Sequence, residues 1–174
     1  MGSDGDAGMN GMIASQLAAM GEGCPGALSY LSNASALLME MLPDINWVGF
    51  YIRRGGELIL GPFQGKAACV RIPMGRGVCG TAAAEDRVVA VEDVHMFPGH
   101  IACDSASASE IVAPLHDPSG RVIGVLDIDS PVRGRFSASH VPAAALAANE
   151  IEKVLSALGD FEHLSGEGAE DRKI

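Results

Sequence analysis

A chain of 174 residues with a 48% apolar fraction is near the size of one ordinary domain and long enough to bury a real core. A net charge of −10 argues against phosphate-backbone binding, which needs clustered Lys and Arg, and against attraction to anionic membranes. The apolar runs all fall short of the roughly 18 residues of a membrane span, and the start MGSDGDAGMNGM is too acidic and Gly-rich for a secretory signal, so a cytoplasmic protein is expected.

In chain order, residues 1–11 read as a flexible lead, followed by a short helix over 12–20 that the string GEGCPG breaks. A second helix is predicted over 27–41, stopped by Pro43, with Leu28, Leu31, Leu38 and Leu42 on one side. The period then changes from helical to alternating. Strands over 46–53 and 57–63 flank Arg53-Arg54-Gly55-Gly56 as a hairpin. A short strand over 69–72, a Gly-punctuated turn, a short helix over 78–85 and a strand over 88–91 come next. Residues 92–109 are irregular and polar, a long connection of the kind that often carries function. Two further strands, 111–116 and 121–129, are joined by the turn Asp-Pro-Ser-Gly. The last helix spans 140–158, with Pro142 in its first turn and Val141, Ala145, Ala148, Ile151, Leu155 and Leu158 at helical spacing. The polar tail, 161–174, is expected to fray. The outline is one α+β (α/β) domain over 12–160, a mostly antiparallel sheet backed by helices.

Strand alternation gathers the unusual residues. It puts Trp47 and Tyr51 on one face and Val48, Phe50 and Ile52 on the other; likewise Asp127 and Asp129 face away from Leu126 and Ile128. Buried carboxylates are costly without partners, so the bland alternative is a strand end that reaches solvent. If Trp47, Tyr51, Asp127 and Asp129 instead line a common site, it suits a small zwitterion: carboxylates accept from an ammonium group while rings cover a methyl or thioether. Crowded carboxylates, Glu110 among them, also raise one another's pKa, so that one keeps a proton and serves as an acid.

Cys69, Cys79 and Cys103 accompany these acids, and Cys24 stands apart. In a chain of this kind cysteines are free, catalytic or metal-bound more often than a disulfide framework. A lone cysteine is ordinarily an inert small hydrophobe, which is the reading for Cys24. Zinc held by the other three with His100 is disfavoured, because spacings of ten and twenty-four residues lack a C-x-x-C clasp. Gly75, Gly77 and Gly80 lack the strand-to-long-helix context of a phosphate-binding turn.

The strings NWVGFY, GPFQGK, ACVRIP, GRGVCGTA, EDVH, FPGHIACD, SEIV, GVLDIDS and GRF, in this order between residues 46 and 136, resemble the free methionine-(R)-sulfoxide reductases, a catalytic branch of the GAF domains. The resemblance implies a central antiparallel sheet with helices on one face and a loop-covered pocket on the other, in a homodimer. It implies reduction of the free amino acid, with no bound cofactor and thioredoxin as the reductant. By the same resemblance Cys103 corresponds to the catalytic cysteine, Cys69 to the resolving cysteine and Cys79 to a third that assists or relays. Trp47, Tyr51, Glu110, Asp127 and Asp129 correspond to substrate-site positions, and which acid donates the proton stays open. The rival expectations are a non-catalytic ligand-sensing GAF module and a thiol redox sensor.

Overall fold

Alternation with period two builds six antiparallel strands among the described residues: β1 Trp47–Arg54, β2 Glu57–Gln64, β3 Arg71–Pro73, β4 Val89–Val91, β5 Ser109–His116 and β6 Val122–Ser130. The computed structural model describes residues 3–99 and 106–159, and these strands form one sheet in the order β3-β2-β1-β6-β5-β4. Two hairpins, β1/β2 and β5/β6, are local in sequence; the pairing of β1 with β6, from Trp47 opposite Asp129 to Ile52 opposite Gly124, joins them into a continuous surface. Pro114 is tolerated in β5 because β4 pairs only with Glu110 to Val112, so no β4 carbonyl waits for the missing N–H.

Helices α1 Ser3–Ala19, α2 Ala27–Met41 and α4 Val141–Leu158 cover one sheet face. Their buried Leu17, Tyr30, Leu31, Leu38, Ile151 and Leu155 meet Val48, Phe50, Ile52, Leu126 and Ile128. The expected division of β1 and β6 into two faces therefore holds. The stripe of α2 differs from expectation in one respect: Leu28 points to solvent, and the buried positions are Ala27, Tyr30, Leu31, Ala34, Ser35 and Leu38. On α4, Ala144 and Ala147 take the place expected for Val141 and Ala145.

The first helix also begins earlier than its apolar pattern suggested. It starts at Ser3, so residues 3–11, expected as a lead, are helical. Its inward side is small and intermittent: Met9 packs against the core, while Ile13 and Leu17 are buried. Too few large apolar residues mark that face for periodicity to register, although no proline interrupts the helix before Pro25.

Helix α3, Gly77–Glu85, departs from the one-sided arrangement and packs on the opposite face. Val78, Cys79, Ala82 and Ala83 bury there against Trp47, Tyr51, Val112 and Val125. Small residues let its backbone approach the sheet closely, and this second core is where the unusual residues gather.

Candidate active site

Cross-strand register brings the acids together. Trp47 lies opposite Asp129, and Asp129 lies opposite Glu110, in one row across β1, β6 and β5. The next row on the same face runs from Gly49 through Asp127 to Val112. Glu110 and Asp127 are thus diagonal neighbours, and α3 lowers Cys79 onto them. The Cys79 thiol donates to Oε1 of Glu110 at 3.8 Å. One ligand atom each from Cys79, Glu110 and Asp127 falls within 4.8 Å of the others. All three side chains are buried, with Glu110 7% and Asp127 5% exposed, whereas Asp129 is half-buried.

Burial is the largest influence on this cluster. It raises the Glu110 carboxyl well above the usual range, and the charges of Asp127 and Asp129 raise it further. Burial likewise pushes Asp127 up to about 6, partly offset by hydrogen bonds with Cys79 and Glu110. Oδ1 of Asp127 has no hydrogen-bond donor among the described residues. The Cys79 thiol is raised by burial and then by the Asp127 and Glu110 charges. Burial and the neighbouring charges thus favour the protonated form of the carboxyl pair and the neutral thiol of Cys79.

Two aromatic side chains wall the site. The Trp47 indole stacks on Phe63 with centroids 5.3 Å apart and on Tyr51 at 6.0 Å. Gly49 makes room for this: a Cβ there would lie 2.7 Å from the indole Cη2 and 2.4 Å from Cβ of Phe63. Trp47 Nε1 donates to the Lys66 carbonyl at 3.1 Å, and the Tyr51 hydroxyl donates to the Cys69 carbonyl at 3.0 Å. Burial, then the charge of Asp127, holds that phenol in its protonated, donating form.

Among the residues singled out from sequence, Trp47, Tyr51, Cys79, Glu110, Asp127 and Asp129 share this face of the sheet. Cys69 lies between β2 and β3, partly buried, and is disulfide-bonded, while Cys24 and Cys79 are free thiols. Cys103 and His100 lie outside the described residues. Sequence reasoning missed the seats prepared for Trp47 by Gly49 and Gly65; the glycines in WVGFY and FQGK were the available signal.

A family model described as GAF domain matches residues 23–155. Protein YtsP of Bacillus subtilis is 52% identical over 147 residues, covering 83% of this chain and 90% of that protein. Free methionine-R-sulfoxide reductase of Escherichia coli is 58% identical over 129 residues, 74% of this chain and 78% of that one. The crystal structure of free methionine-R-sulfoxide reductase from Neisseria meningitidis, in complex with its substrate, superposes with a TM-score of 0.84 at 40% identity, covering 92% of this chain and 95% of that one. Sheet order, helix placement and the matched span define a GAF domain. This chain belongs to the GAF-domain free methionine-R-sulfoxide reductases.

Proposed function

We propose that this protein reduces free L-methionine-(R)-sulfoxide to L-methionine. The observation that carries the reading is the buried Glu110–Asp127 pair, gathered with Cys79 beside the aromatic wall of Trp47 and Tyr51, where burial favours the protonated carboxyl. Leaving-oxygen chemistry needs a proton source, and a zwitterionic amino acid needs an anion for its ammonium group. Glu110 supplies the first, and Asp127 with Asp129 the second. The rings cover the thioether end of the substrate.

Cys103 is the nucleophile. Its thiolate attacks the sulfoxide sulfur as the Glu110 acid protonates the oxygen; the hydroxyl then passes from the methionine sulfur to the Cys103 sulfur as the transient S–S bond breaks, releasing methionine and leaving Cys103 as a sulfenic acid. Cys69 then attacks the sulfenic sulfur, the S–O bond breaks, water leaves, and a Cys69–Cys103 disulfide forms. A dithiol of the thioredoxin type reduces it, becoming a disulfide itself. Two observations support this division. Cys79 is held as a neutral thiol, which makes it a poor nucleophile and leaves it the assisting or relaying position. Cys69 is disulfide-bonded in this structure, as a resolving cysteine is after a turnover. We place the enzyme in the cytoplasm as a homodimer without bound cofactor; no helix among the described residues is long and apolar enough to cross a membrane.

Thioredoxin-coupled NADPH oxidation with each sulfoxide epimer tests the reading. Turnover is expected with the free R epimer alone, lost in Cys103→Ser, and limited to a single turnover in Cys69→Ser. Full activity of Cys103→Ser, or tight nucleotide binding without turnover, overturns it.

A further inference from the structure

Residues 65–70 leave β2 and return to β3 as a strip of irregular chain, largely exposed, with Cys69 near its end. An exposed connection of this kind loses much of its conformational freedom only where something pins it. Besides the disulfide at Cys69, three hydrogen bonds do so at intervals: Trp47 Nε1 to the Lys66 carbonyl at 3.1 Å, the Tyr51 hydroxyl to the Cys69 carbonyl at 3.0 Å, and the Leu60 amide to the Val70 carbonyl at 3.0 Å. The first two come from the aromatic side chains that wall the site. At Gly65 the strip lies against the indole: φ is +130°, and a Cβ would sit 2.5 Å from Cδ1 of Trp47. The Tyr51 ring is 1% exposed, so its hydroxyl is not drawn toward bulk water. Both donors are already committed to backbone carbonyls.

We propose that Tyr51, seconded by Trp47, is a positioning residue for Cys69, fixing through its hydroxyl the backbone from which that cysteine closes the disulfide. The inference rests on the reductase reading above and deepens it. Disulfide geometry tolerates little error, with Cα atoms roughly 4.4–6.8 Å apart. A resolving cysteine on a loose strip therefore spends much of its time out of reach. In the closing step the Cys69 thiolate attacks the sulfenic sulfur, the S–O bond breaks and water leaves; the Tyr51 hydroxyl exchanges no proton in that step and acts only on where the thiolate stands. Ring and hydroxyl consequently divide two tasks, the ring belonging to the substrate step and the hydroxyl to resolution.

The experiment compares two rates in pre-reduced enzyme mixed with free methionine-(R)-sulfoxide. Methionine release is followed by rapid quench, and sulfenic acid and disulfide by dimedone trapping, alkylation and mass spectrometry. In Tyr51→Phe, disulfide closure is expected to slow about fivefold to tenfold, on the scale of one lost intramolecular hydrogen bond. Dimedone-trappable sulfenic acid then accumulates, and methionine release slows by much less. Gly65→Ala, which pushes the strip off the indole without touching the hydroxyl, is expected to shift the same ratio in the same direction and serves if Tyr51→Phe does not fold. Equal slowing of both steps, slowing of methionine release alone, or an unchanged ratio in the folded variants overturns the inference. A wild-type enzyme that releases no methionine instead overturns the reductase reading, so the two failures are distinct.

Discussion

Glu110 shows how one residue's chemistry is set by its surroundings. On an exposed strand it would be an ordinary carboxylate, but here burial and the charges of Asp127 and Asp129 all act against ionisation. The Cys79 thiol hydrogen bond favours the charged form and is too weak to reverse that balance. In the donor role proposed for it, Glu110 loses its proton as pH rises through its raised pKa, so the wild-type rate is expected to fall on the alkaline side. Glu110→Gln is expected to lower kcat by about 100-fold or more, the lower end of what a positioned acid contributes, and to abolish that alkaline fall. A pH–rate profile of both proteins checks this. If Glu110→Gln keeps the wild-type alkaline limb, the limb belongs to another group. Cys79 obeys the same logic with the opposite consequence. It stands in the first turn of α3, where the helix dipole favours a thiolate, yet burial beside two carboxylates outweighs the dipole. Its type and spacing in GRGVCGTA marked it for chemistry; its protonation state depends on neighbours thirty or more residues away and could not be read from that string.

The element that carries Cys79 is held from its far end. His116, at the end of β5, donates its backbone amide to Oε1 of Glu152 on α4 at 2.8 Å, and its Nδ1 meets the same oxygen at 2.7 Å. Its Nε2 meets Oδ1 of Asp86 at 2.6 Å. Asp86 is the C-cap of α3, in the left-handed region at φ 51°. One imidazole therefore ties α3 to α4 across the edge of β5. Burial works against its charged form, but the hydrogen bonds and charges of Asp86 and Glu152 prevail, and the His116 pKa is raised. The sign follows from linkage: a cation favoured by folding stabilises fully below the unfolded histidine pKa, near 6.5, and ceases to do so as pH climbs through the raised folded value. His116→Asn is accordingly expected to lower Tm more at pH 6 than at pH 9, measured by thermal melts at both. An equal loss at the two pH values would assign His116 a packing role only. None of this was visible in the sequence, because it depends on three elements meeting at one corner. The strands themselves were legible, since Val, Ile, Leu and Phe alternate with the site residues in NWVGFYIR and RVIGVLDIDS. The side on which α3 packs was not, because its small residues mark no single face, and the β1–β6 pairing joins segments more than seventy residues apart.

At the scale of the whole molecule the sheet is a partition between two cores with different duties. The helix-side core contains Leu17, Tyr30, Leu31, Phe50, Ile151 and Leu155; the other contains Trp47, Tyr51, Cys79 and the valines around the acids. They use alternate residues of the same strands, so a single strand such as β1 contributes Phe50 to the first and Tyr51 to the second. Polar groups are concentrated on one side, and apolar packing on the other supplies the surplus of burial that lets the acids remain desolvated. Stability and activity should then be separable by mutation. Leu17 is fully buried, and its backbone carbonyl accepts from the Tyr30 hydroxyl at 3.2 Å, which locks α1 to α2. Leu17→Ala removes a buried side chain from this junction and is expected to cost about 3 kcal/mol, as large-to-small changes in well-packed cores do. Urea unfolding measures that loss. The kcat/KM of the folded fraction at 25 °C is expected to stay within about twofold of wild type, because the change lies across the sheet from the Glu110–Asp127 pair and more than 1.4 kcal/mol would be needed to alter the rate tenfold. A parallel collapse of activity and stability would mean that the sheet transmits helix-face disorder to the acids, and that the two cores act as one.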